Sequence, residues 1–186
     1  MERLVAFLRG INVGGRTVTK EKLTEAFTSL GFQNVSTYKQ SGNVIFETEN
    51  VHPKEIEDKI KAKLCSILGY EVSVFVRTFP QLINIIEYNA FKDQEKENTS
   101  CLVTFLATPS LNFLLQFPLT IPKSTAQVIS AKGIEVFSVT HGGGEGALPN
   151  PFLEAKLKVK ATTRNINTIK QIVEKYDSLK KKVQSK

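Results

Sequence analysis

Three polar clusters in this chain of 186 residues have the residue types and spacing to do chemistry. The first is Gly10 to Thr17, GINVGGRT, where glycines and an arginine follow directly on an apolar run. Its spacing is that of a phosphate-binding loop, with Arg16 where the phosphate lysine belongs. Glycine tolerates positive φ and lets backbone N–H groups close on an anion. The N–H groups of Gly14 and Gly15 are therefore the expected cradle, with Gly10 and Asn12 in the same loop and Arg9 as a charge partner. The second cluster is Gln40 to Asn43, QSGN, whose Gln40, Ser41 and Asn43 can orient a polar ligand while Gly42 supplies the turn. The third runs from Thr162 to Thr168. It is expected to open a helix, so that Thr163, Arg164, Asn165 and Asn167 gather where free N–H groups favour anions.

Binding is the chemistry these clusters support. Nucleotide hydrolysis would need the lysine, a helix directly after the loop and an aspartate closing an apolar strand, and the aspartates are only Asp58, Asp93 and Asp177. His141 to Gly144 is similar to an esterase oxyanion loop, but no G-x-S-x-G nucleophile motif accompanies it. His52 and His141 are the only histidines, and no Cys, His or carboxylate cluster has metal-ligand spacing, so neither a metal nor another cofactor is expected. Cys65 falls in a helical pattern and Cys101 in a strand pattern, where reduced, buried thiols are expected.

The net charge of +7 is unevenly placed. Residues 1–98 carry 13 Lys and Arg against 13 Asp and Glu, whereas residues 154–186 carry 10 against 3, a difference equal to the whole +7. A basic C-terminal helix and tail is the footprint of nucleic-acid binding, the competing functional expectation. The aromatic strand signature of an RNA-recognition sheet is missing. A regulatory or oligomerisation module without ligand is the third. No apolar run approaches the ~18 residues of a membrane span, so a cytoplasmic protein with no membrane partner is expected.

These clusters need elements to hold them. Leu4 to Leu8 is a continuous apolar run that must stop near Arg9, a strand expected to be buried on both faces. Leu23, Ala26, Phe27 and Leu30 recur at helical spacing and predict a helix over 20–30. Strands follow at 34–39 and 44–48 around the QSGN turn, then a helix from Pro53 carrying Ile56, Ile60, Leu64 and Leu68, and a strand over 71–77. That order, β-α-β-β-α-β, is the ferredoxin-like plait. It places the loop after the first strand beside the hairpin entering the third. A helix from the capping box at Thr78 to Gln81 runs to Tyr88 and a polar linker to Thr99, dividing the chain into subdomains at 1–78 and 100–186.

The second half is expected to repeat the pattern without repeating the sequence. Strands are predicted at 100–107, 125–130 and 134–139, with a short helix after Pro109, a helix over 152–158 and a last helix from about Thr163. A closing strand is not visible. The fold class is thus α+β, two ferredoxin-like plaits, each an antiparallel sheet with helices on one face.

The chain resembles a bacterial family catalogued as domain of unknown function 1697, in LRGINVGG, TYKQSGNVIF, VFVRT and PFLEAKLKVKATTRNINTIKQI. The resemblance spans nearly the whole chain. It implies two ferredoxin-like plaits and no established activity, and its motif positions include Arg9, Gly10, Asn12, Gly14, Gly15, Tyr38, Gln40 to Asn43, Thr163 to Asn165, Asn167 and Thr168. Ile166 stands where the family has an aromatic, usually tryptophan, and Arg16 where lysine is common.

Overall fold

The computed structural model describes residues 1–12, 14, 15, 17–39, 42–50, 52–92, 94, 97–109, 116–142 and 148–183, with 177–183 as backbone alone. The chain divides into two compact units, Met1–Leu82 and Ile83–Lys186.

In the N-terminal unit, β1 (Glu2–Arg9), β2 (Gln33–Tyr38), β3 (Asn43–Thr48) and β4 (Ser73–Thr78) form an antiparallel sheet in the order β2-β3-β1-β4. The central position of β1 explains its unbroken apolar run, because Leu4 through Leu8 are all buried on one face or the other. Helix α1 (Lys20–Thr28) starts where Thr19 Oγ1 accepts from Lys22 N at 3.2 Å, a side-chain cap for a backbone donor without a helical partner. Helix α2 (Pro53–Leu68) has proline at its start and ends at Gly69 in the left-handed region, φ +76°. Leu23, Ala26 and Phe27 of α1 and Ile56, Ile60 and Leu64 of α2 share one core with Leu4, Ala6, Leu8, Val44, Phe46, Val74 and Val76. The Phe27 and Phe46 rings meet edge to face at 5.4 Å.

Helix α3 (Phe79–Glu87) follows β4. The C-terminal unit then holds β5 (Thr99–Leu106), β6 (Leu119–Thr120), β7 (Ala126–Lys132), β8 (Glu135–His141), α4 (Asn150–Leu157), β9 (Ala161–Asn165) and α5 (Ile166–Val183). Its sheet runs β6-β7-β8-β5-β9. The expected short helix after Pro109 falls largely on residues 110–115, outside the described residues.

Residues 161–165 correct the sequence reading. They form the closing strand that the pattern hid, and the last helix begins at Ile166, not Thr163. Ala161 to Asn165 pair antiparallel with Leu106 to Leu102. Thr162 and Thr163 are β-branched and fit a strand, but five residues are too few to display a period of two before the isoleucine spacing takes over. Asn165 caps the helix, its Oδ1 accepting from Asn167 N at 2.8 Å.

The register also exposes a repeat of sequence that the pattern alone missed. Val5 lies opposite Ile45 and Arg77, and Val103 lies opposite Phe137 and Arg164. Leu4–Leu8 (LVAFL) therefore occupies the place in one sheet that Leu102–Leu106 (LVTFL) occupies in the other. The edge strands are closed alike. Val76 N donates to Glu57 Oε1 at 2.8 Å, and Ala161 N donates to Glu154 Oε1 at 2.9 Å. Arg77 Nη1 donates to Val76 O at 2.8 Å, and Arg164 Nη1 donates to Thr163 O at 2.9 Å. Side chains that occupy the outer N–H and C=O groups leave these edges little to offer another strand.

Candidate functional site

The plait brings the first two sequence clusters together. Asn43 lies opposite Phe7, and Leu8 N donates to Gly42 O at 2.7 Å, which ties the hairpin to the end of β1. Only glycine fits at position 42. Its φ is +72°, and a Cβ there would stand 2.8 Å from Ile11 Cδ1 and 3.1 Å from both Cβ and O of Leu8. Asn43 is fully buried, and its Nδ2 donates to Tyr38 O at 3.0 Å across the base of the hairpin. Asn12 Oδ1 accepts from Val18 N at 2.9 Å, folding the glycine-rich segment back on itself, and Tyr70 Oη donates to Ile11 O at 3.3 Å.

Between these segments lies a groove of about 460 Å³, walled by residues 17–21 and Leu23 with Asn12 on one side and by Thr37, Lys39, Gly42 and Asn43 on the other. Its walls mix the hydroxyl, amide and ammonium groups of Thr17, Thr19, Thr37, Asn12, Asn43, Lys20 and Lys39 with apolar surface over the buried Val18 and Leu23. Lys20 and Lys39 supply exposed positive charge. Lys39 has φ +55°, a left-handed conformation costing a side-chain-bearing residue about 1–2 kcal/mol. Glu21 is the one carboxylate of the lining. Hydrogen bonds from its own backbone N–H and the Thr19 hydroxyl, together with the charge of Lys20, hold its carboxyl below the usual range.

The remaining predicted residues are distributed differently. Arg9 ends β1 opposite Ser73, and neither it nor Gly10 lines the groove. Gly14 and Gly15 have φ of +61° and +77° and open space where a Cβ would be, so they belong to an exposed turn beside the groove lining. Gln40, Ser41 and Arg16 lie outside the described residues. Thr163, Arg164, Asn165 and Asn167 belong to the C-terminal unit, on β9 and the start of α5. There Thr163 Oγ1 bonds Thr104 Oγ1 and donates to the Asn150 amide oxygen, and Arg164 Nη1 also donates to Thr162 Oγ1 at 2.8 Å. Burial pushes the Arg164 guanidinium down to about 10, so it remains charged at neutral pH.

Lys20, Glu21, Thr17, Thr19 and Thr37 were missed. Lys39 stands inside the TYKQSGN motif, and its position in a hairpin next to QSGN was the available signal. The helix α1 starts at Lys20, three residues beyond Thr17, so the phosphate-loop spacing of GINVGGRT is not followed by the immediate helix that chemistry requires. Among the described residues, no group of three or more His, Cys, Asp or Glu could hold a metal ion, and no helix is long and apolar enough to cross a membrane.

Residues 1–137 match the family described as "Protein of unknown function (DUF1697)". The chain belongs to this family. The family match takes in the whole N-terminal unit with its groove and ends at Phe137, before β9 and α5. Among solved structures, the conserved bacterial protein SP0830 from Streptococcus pneumoniae is similar, with a TM-score of 0.69 and 19% identity over 95% of this chain and 99% of that one. At that identity the likeness is one of fold, two ferredoxin-like subdomains in one chain. No curated protein matches.

Proposed function

We propose that this DUF1697 protein binds a small anionic or polar molecule in the groove between the glycine-rich loop and the hairpin of its N-terminal unit. The supporting observation is the pairing of Lys20 and Lys39, from segments far apart in sequence, on the walls of one groove of about 460 Å³ rich in hydroxyl and amide groups. Arg9 and Arg164, the arginines expected as charge partners, are not needed by this reading.

The test is a titration with small anions, inorganic phosphate and pyrophosphate among them, and with neutral polyols, followed by backbone amide chemical shifts. Shifts confined to 12–23 and 37–43 support the reading, and their absence with every probe overturns it. For an anion, Glu21→Gln tightens binding several-fold by removing a competing carboxylate, and Lys39→Ala weakens it by about tenfold, the worth of one lost charge-assisted bond. Lys39→Gly loses binding to the same degree while raising stability by up to about 1 kcal/mol, the left-handed strain relieved less the entropy glycine adds to the unfolded chain.

A further inference from the structure

The groove of the N-terminal unit carries charge of both signs. Lys20 and Glu21 come from the start of α1, and Lys39 comes from the hairpin on the other wall. Asn12 Oδ1 is engaged by Val18 N, and Asn43 Nδ2 is engaged by Tyr38 O, so these amides hold the walls in place. Thr19 is engaged as well. Its oxygen accepts from Lys22 N at 3.2 Å, and its one hydrogen goes to the Glu21 carboxylate. The same carboxylate accepts from the Glu21 backbone N–H. These two bonds draw it back over the first turn of α1, beside the wall that Thr19 forms, and hold it below the usual carboxylate range, so it is ionised at neutral pH.

A site for a plain anion gains nothing from a fixed carboxylate, which repels the ligand and offsets part of the pull of the lysines. A carboxylate has room for roughly four hydrogen bonds, so Glu21 keeps capacity for a donor on a ligand. The donor that complements it best is itself charged, an ammonium. Two lysines and one glutamate among the described lining residues match a molecule with two acidic groups and one ammonium. The apolar surface over Val18 and Leu23 suits a short run of methylenes.

Building on the reading of this groove as a binding site, we infer that its ligand is a dicarboxylic α-amino acid, held by its acidic groups at Lys20 and Lys39 and by its ammonium at Glu21. Glu21 is then the residue that sets specificity. Simple anions meet only its repulsion, whereas an anion that carries an amine gains a partner.

The test compares L-glutamate with glutarate, which keeps the chain length and both carboxylates but lacks the amine. Amide chemical shifts are followed in the full chain and in its Glu21→Gln variant. In the parent, L-glutamate shifts residues within 12–23 and 37–43 and binds about three- to fivefold tighter than glutarate, the range of one ion pair open to water. Glutarate has the higher negative charge and the chain is basic, so only a local partner for the ammonium inverts the order. In Glu21→Gln the preference disappears, because glutarate tightens while L-glutamate loses that partner. A glutamate that only caps α1 would leave the ratio of the two affinities unchanged. Equal or tighter binding of glutarate by the parent, or a preference for L-glutamate that survives Glu21→Gln, overturns the inference. Shifts with phosphate, pyrophosphate or a polyol but with neither dicarboxylate also overturn it, and leave the groove standing as a binding site. Silence with every probe overturns both readings.

Discussion

At the place where β3 of the N-terminal unit puts the ring of Phe46, β8 of the C-terminal unit puts the hydroxyl of Ser138, and the neighbouring positions diverge in the same direction, Ala6 against Thr104 and Val76 against Thr163. The hairpins diverge too. Four residues, Lys39 to Gly42, join Tyr38 to Asn43, whereas Gly133 and Ile134 alone join Lys132 to Glu135. One topology thus carries two interiors. The N-terminal unit packs Phe46 against Phe27 and Phe32 at this place and has a long hairpin whose Lys39 lines a groove. The C-terminal unit sets Thr104, Ser138 and Thr163 among the apolar Leu106, Val128 and Val136 of its core face, and its hairpin turn is two residues long. What the units share is what the plait itself requires, namely the apolar central strand and the glutamate and arginine that close the edge.

The comparison can be broken first at Phe46. Phe46→Ala removes the ring that packs on both Phe27 and Phe32, and should cost about 3–5 kcal/mol in urea unfolding. A cost below about 1 kcal/mol would mean that the aromatic core is not what distinguishes the unit. A smaller effect sharpens the contrast between hairpins. Gly133→Ala meets only the flexible Glu135 carboxylate at 3.6 Å and costs about 1 kcal/mol for its left-handed backbone. Gly42→Ala bears the same strain and adds about 1–3 kcal/mol for the clash with Ile11 and Leu8. Equal costs at the two positions would show that the hairpin is free to move off β1.

The smallest expected effect is one of pH. Burial pushes the Glu57 carboxyl up, against the opposing pull of the Val76 N–H and the charges of Lys61, Arg77 and Lys54. A raised value means that the folded state holds more protons than the unfolded one between the ordinary carboxylate value and the folded value. The Glu57 contribution is therefore present at low pH and declines as pH rises through that window. Glu57→Gln keeps an oxygen for Val76 N and removes this slope. Unfolding measured from about pH 4 to 7 should accordingly show a shallower fall for the variant than for the parent. Parallel curves would mean that the carboxyl is solvated in the folded protein.

Much of the fold was legible from short-range pattern. The helices of the N-terminal unit were readable because Leu23, Ala26 and Phe27, and then Ile56, Ile60 and Leu64, each mark one face at a spacing no strand shares. The proximity of the glycine-rich loop to the QSGN hairpin followed from the plait order, and Gly42 O accepting from Leu8 N is its physical form. Strand β9 was not readable. Its residues carry threonines that serve equally as caps, and its identity depends on pairing with β5, more than 50 residues away. The groove cations were missed for a related reason, since Lys20 and Lys39 look like solvated surface residues until tertiary structure sets them around one space.

The sequence alone determined the order of elements, the apolar faces and the glycine turns, because each depends on residues within a few positions of one another. Tertiary structure decided which residues share a register. It made LVAFL and LVTFL equivalent, set Ser138 where its counterpart is Phe46, and gave the groove Lys20 and Lys39 in place of the expected arginines. Those outcomes rest on pairing between distant strands, whose energy comes from contacts that local pattern does not encode.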